Sequence, residues 1–131
     1  MNRPDPRALF GSITRLRVVR VRGRSMEPTL RDGDLMLALW GAPVRRGDLV
    51  VVDLPPDADG VRRPLALKRH GGPDPARPDD PTWIWLERDN PREGVDSWQV
   101  GPLPRTSVQA RALLRLPRIR LRGVLLRRFR G

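Results

Sequence analysis

A chain of 131 residues with a net charge of +11 is long enough for one domain with a packed core. Cysteine is absent and histidine occurs once, which excludes a disulfide frame, a thiolate metal site, a thiol nucleophile and a His-rich metal cluster. Fifteen prolines and twelve glycines point to a loop-rich β protein rather than a helical bundle, and nothing in the sequence asks for a metal or other cofactor.

Residues 1–15, with two prolines and mixed charge before Gly11, read as a flexible leader. Leu16 to Arg22 is rich in β-branched residues and partly alternating, a strand that delivers the chain to Gly23. The next stretch, Gly23-Arg24-Ser25-Met26-Glu27-Pro28-Thr29-Leu30-Arg31-Asp32-Gly33-Asp34, sets a serine just before a proline turn. Such a bend leaves the hydroxyl exposed and backed by main-chain N–H groups, which suits a nucleophile that also needs an oxyanion pocket. The same serine would equally serve as the N-cap of a short helical turn through Pro28. The local stretch leaves both open.

Leu35 to Trp40 reads as a mostly buried strand, Gly41 to Gly47 as a turn, and Asp48 to Leu54 as the clearest strand of the chain. A polar loop from Pro55 to Gly60 leads to a strand over Pro64 to His70, which carries Lys68, forty-three residues after Ser25. Lys68 is the only lysine; the other twenty-five basic residues are arginine. Arginine stays protonated at any working pH, whereas a lysine among apolar neighbours can lose its proton and act as a base. A lone lysine where arginine is the default therefore favours a chemical role over a wet-face surface position. His70 falls on the same strand face, although its plain reading is a polar residue at a turn edge.

Gly71 to Pro81, with four prolines and four charges, reads as an exposed loop, and Thr82 to Glu87 as one aromatic strand whose tryptophans pack in the core. Arg88 to Gly101 is a polar connector, and Val108 to Leu116 a final strand or short helix that the pattern does not decide. From Pro117 an arginine tail begins: nine arginines and no acid lie between Arg105 and Gly131. That tail reads as a solvated extension or one in weak association with an anionic membrane; with few aromatics and no nucleic-acid motif, nucleic acid is the poorer partner. No apolar run approaches the roughly 18–20 residues of a membrane helix, and Met1 to Gly11 lacks an apolar signal region. The expected location is the cytoplasm, with a peripheral place at the inner face of the plasma membrane as the alternative. Short strands separated by turn signals, with no long helical period, predict a compact, mainly β fold.

Four segments in order resemble the signal-peptidase-I-like serine proteases, which use a Ser/Lys dyad. They are Gly23 to Leu30 with Gly33-Asp34, then Arg46 to Val51, then Leu67-Lys68-Arg69, then Asp89-Asn90 with Asp96-Ser97 and Gly101 to Pro104. The resemblance implies a catalytic domain over 16–116; membrane members of the family also carry one or two transmembrane helices and the larger ones an inserted β domain, neither of which is expected here. It makes Ser25 the nucleophile, Lys68 the neutral general base and the Ser25 backbone N–H the oxyanion donor. Arg69 would pair with Asp89, and Gly23, Met26, Pro28, Asn90, Asp96 and Ser97 would be structural support.

Gly23 stands two before Ser25 where some relatives have a serine, which leaves no side-chain oxyanion donor there, and three positions of the last segment depart from the family pattern. Arg88 stands where a glycine precedes the Asp-Asn pair, Gly94 where a serine meets the lysine, and Trp98 where an arginine pairs with the second aspartate. Asp96 is therefore expected to lack its partner and Lys68 an orienting hydroxyl; Ser97 matches a different position. The short branch most similar to this chain is the nickel-type superoxide dismutase maturation protease. It implies a protein precursor with an N-terminal leader as substrate and partner. The alternatives are a general signal peptidase held at the membrane by its tail, a self-cleaving repressor-type regulator, and an inactive relative serving as a binding module. No Ala-Gly pair exists for a repressor-type cut, and only about fifteen residues precede the first strand.

Overall fold

The computed structural model describes residues 15–117; the arginine tail from 118 and all of the expected leader but Arg15 lie outside them. The described residues form eight strands, β1 (Leu16–Arg20), β2 (Leu35–Trp40), β3 (Leu49–Val52), β4 (Ala66–His70), β5 (Trp83–Ile84), β6 (Leu86–Glu87), β7 (Leu103–Pro104) and β8 (Val108–Arg115). One single-turn α-helix, α1 (Ser97–Val100), and a 3-10 turn, Arg105–Ser107, interrupt them. The fold is mainly β, and among the described residues no helix is long and apolar enough to cross a membrane.

Six strands make one sheet in the order β1-β2-β8-β3-β4-β6, antiparallel at each pairing, while β5 and β7 form a separate ribbon. Strand β8, the last of the described strands, enters between β2 and β3, so it joins the two halves of the sheet. Side chains alternate across a pleated strand, and β3 shows the consequence. Val50 and Val52 join Val44, Leu54, Ile84, Leu86 and Leu103 in a core on the face covered by the β5–β7 ribbon. Val51 and Leu49 face the other way, toward Ala38, Ala110 and the cluster built on Met26, Leu30 and Met36. On β4 the same parity sends Ala66 to the first core and Leu67 to the second, so Lys68 follows Ala66. Because β6 pairs only with Arg69 and His70, the β4 edge beside Ala66 to Lys68 is left open among the described strands.

Several sequence expectations change. The single strand over Thr82 to Glu87 is two: Ile84 pairs with Leu103 in the ribbon and Leu86 with His70 in the sheet. Trp85 between them exchanges backbone hydrogen bonds with Gly71 and Gly72, carrying the chain from one sheet to the other. The connector from Arg88 to Gly101 contains α1, closed by a reciprocal cap in which Asp96 Oδ1 accepts from Trp98 N (3.0 Å) and Gln99 Oε1 from Asp96 N (2.9 Å). The undecided segment near the end is the strand β8. In the loop from Gly71 to Pro81, Asp74 is buried rather than exposed, because Arg77 Nε and the Ala76 N–H satisfy its carboxylate. His70 is likewise buried at the end of β4, its Nδ1 accepting from Gly72 N.

Leu86 is wholly inaccessible and joins the ribbon-side core to the strand that neighbours Lys68. Leu86→Ala should cost about 2–5 kcal/mol in chemical denaturation, as buried truncations do; a loss below about 1 kcal/mol would contradict this packing.

Candidate active site

The serine segment is a closed turn, not a helix. Its ends are tied by Val21 N to Asp34 O and Gly33 N to Val21 O, both 2.8 Å, and by Gly23 N to Asp32 Oδ1 at 2.8 Å. Gly23 has φ +81, a conformation that side chains rarely adopt. Inside the turn, Glu27 N bonds Arg24 O and Leu30 N bonds Met26 O, while Pro28 stays exposed. Met26 (1% exposed) and Leu30 (3%) are the anchors that seat it on the second core. With no helix following, the capping reading of Ser25 falls away. Among the described residues no acceptor engages the Ser25 N–H.

Asn90 fastens this turn to the loop after β6. Its backbone N–H donates to Ser25 O (2.8 Å), and its side-chain Nδ2 donates to Arg24 O (2.9 Å). Across the turn stands Lys68, 3% exposed, with Nζ 3.0 Å from Ser25 Oγ. Burial pushes the Lys68 amine down from 10.5 to about 8; nearby Asp96 pulls the other way and Arg88 adds to the depression.

Arg69, on the opposite face of β4, forms a two-pronged ion pair with Asp89, Nε to Oδ1 at 2.9 Å and Nη2 to Oδ2 at 2.7 Å. Its Nη1 also donates to Gly47 O, and Thr29 Oγ1 donates to Asp89. One carboxylate thus links the lysine strand, the serine turn and the loop after β6. The hydrogen bond from Arg69, more than burial, decides the balance at Asp89 and holds its carboxyl below the usual 3.8.

The three departures from the family pattern resolve together. Asp96 does have an arginine partner, but it comes from Arg88: the Arg88 N–H donates to Oδ2 at 3.0 Å, and Nε lies 3.6 Å from the same oxygen. Trp98, relieved of that role, is exposed and meets Trp85 edge to face at 5.3 Å. Ser97 Oγ accepts from Leu86 N at 2.8 Å, so this buried hydroxyl supports β6 rather than Lys68. At Gly94 (φ +88) a Cβ would stand 2.5 Å from Ser25 Cβ and 3.4 Å from Lys68 Nζ. No side chain fits there, and the bare backbone closes directly over the pair. Sequence reasoning counted Arg88 and Gly94 as losses, since only the tertiary fold brings them together. Among the described residues no group of His, Cys, Asp and Glu could hold a metal ion.

The Peptidase S24-like family matches residues 5–62, which include the serine turn. A relative, mouse (Mus musculus) mitochondrial inner membrane protease subunit 1, is 30% identical over 115 residues, covering 76% of this chain and 68% of its own. The chain belongs to the signal-peptidase-like family. Membership makes a peptidase of it.

The brace between Arg69 and Asp89 is open to a direct check. A carboxyl whose folded value is depressed contributes stability above its ordinary pKa, and that contribution is lost as pH falls through the folded value. Asp89→Asn should therefore cost about 1–3 kcal/mol at pH 7, measured by denaturation, and the gap from wild type should close below pH 3.8. A gap that persists unchanged into acid would contradict the assignment.

Proposed function

We propose that this protein is a serine endopeptidase that removes an N-terminal leader from a protein precursor, with Ser25 as nucleophile and Lys68 as general base. One observation carries the reading: the only lysine of the chain is buried, with its amine 3.0 Å from the hydroxyl of a serine on a closed turn. In neutral form, Lys68 Nζ accepts the Ser25 proton as Oγ bonds to the scissile carbonyl carbon. The Ser25 N–H faces the oxyanion that develops. Collapse breaks the C–N bond, the Lys68 ammonium returns the proton to the leaving amine, and an acyl-enzyme remains. Water, deprotonated by Lys68, then releases the acyl group and restores Ser25.

The precursor proposed is that of a nickel superoxide dismutase, on the similarity of Asp89-Asn90-Pro91 and Gly94-Val95-Asp96-Ser97 to that branch. A second reading, a general signal peptidase working at a membrane face, draws on the nine arginines past residue 104 and on a relative whose name places it at an inner membrane.

Incubation with each precursor type, read by mass spectrometry, separates them. Cleavage of the superoxide dismutase precursor at one bond should fall by at least about 10⁴-fold in both Ser25→Ala and Lys68→Ala. Cutting confined to secretory precursors would move the assignment to the second reading, and no cutting of either would overturn the leader-removing role. The pH profile has a fixed sign: kcat/KM should rise with pH through an apparent pKa of about 8, since only the neutral amine is a base. A rate that is flat across that range would rule out Lys68 as the base.

A further inference from the structure

Arg88 touches two groups that flank the Ser25–Lys68 contact. Its Nη1 donates to the Gly94 carbonyl, and its backbone N–H and Nε both address Asp96 Oδ2. The side chain is only 16% exposed and that of Asp96 3%, so this pairing is shielded from solvent. Gly94 is the residue that lies against Ser25, and Asp96 is the carboxylate that acts on Lys68. One guanidinium therefore fastens both ends of the short segment covering the pair.

We propose that Arg88 is the positioning residue of the Ser25–Lys68 pair, pinning the Gly94 backbone over Ser25 and engaging Asp96 so that this carboxylate does not become the counter-ion of Lys68. A buried ammonium next to an ionised carboxylate forms an ion pair and is no longer a base. Arginine keeps its proton at any working pH and offers a fork of donors, so it can satisfy Asp96 and a carbonyl at once. The charged groups acting on Lys68 are Asp96 and Arg88, whereas Arg69 and Asp89 engage each other across β4. Without the guanidinium, the Asp96 charge is left to Lys68 and the positive neighbour is gone. Both changes favour the ammonium. Arg88 matters for cleavage only on the Ser25–Lys68 reading given above, whereas its effect on the charge of Lys68 does not depend on it.

A single lysine makes the test unambiguous, because lysine-labelled full-length protein gives one side-chain amine signal by NMR. In wild type it should titrate at about 8; in Arg88→Gln the midpoint should move up toward 10.5. Precursor cleavage at pH 7 should then drop about tenfold for each unit of that rise and recover in alkaline buffer, a shift of pH profile that a packing defect would not produce. Adding Asp96→Asn to Arg88→Gln should bring the midpoint back down and restore cleavage. If Arg88→Gln fails to fold, Asp96→Asn alone should lower the wild-type midpoint. An unmoved lysine signal in folded Arg88→Gln, or in Asp96→Asn, overturns the assignment to Arg88 even if the wild type cleaves. A shifted signal in a protein that cleaves nothing supports Arg88 and removes the peptidase reading instead.

Discussion

Burying one amine beside one hydroxyl is the constraint on which the rest of this structure depends. A charged lysine in an apolar sheet is costly, and the chain meets that cost by letting the amine approach neutrality. The parity of β4 decides which side chain is buried: Ala66 joins the ribbon-side core, and Lys68 shares its face. The serine is delivered independently, on a turn whose Met26 and Leu30 sit in the opposite core. Two separately anchored elements therefore meet at 3.0 Å.

What keeps them in register is a layer of arginine-centred polar contacts. Arg69 binds Asp89 with two nitrogens and Gly47 with the third, tying β4 to the loop after β6 and to the turn before β3. Arg88 makes the corresponding contacts beside Ser25 and Lys68, between Gly94 and Asp96. Asn90 stitches the same loop to the serine turn through Ser25 O and Arg24 O. A planar guanidinium can satisfy several acceptors in one plane, which lysine cannot. In a chain with twenty-five arginines, the single lysine is the residue buried beside Ser25, the place of the proposed base.

How much of this could be read in the sequence follows from the range of each interaction. β2 was legible to its bounds because Leu35 to Trp40 is a continuous apolar run between turn signals. The split between β5 and β6 was not, because it is made by distant partners: Leu103 takes Ile84 and His70 takes Leu86. Helix α1 is too short for a periodic signal, yet Asp96 and Gln99, three apart, carry its capping pattern and could have announced it. At the site, the contacts between Lys68 and Ser25 and between Arg69 and Asp89 are those that the family resemblance implied. Arg88 was illegible as the partner of Asp96, and Gly94 as the backbone packed against Ser25, since each is only a departure until the chain is folded.

The central claim is that buried Lys68 activates Ser25. Its most direct measurement is the rate at which a serine-directed electrophile labels Ser25 between pH 6 and 10, in wild type and in Lys68→Met, roughly isosteric but without the amine. The account predicts a wild-type rate that climbs through a midpoint of about 8, with labelling confined to Ser25 and lost in Lys68→Met. Labelling that is independent of pH, or that survives in a folded Lys68→Met, would contradict it.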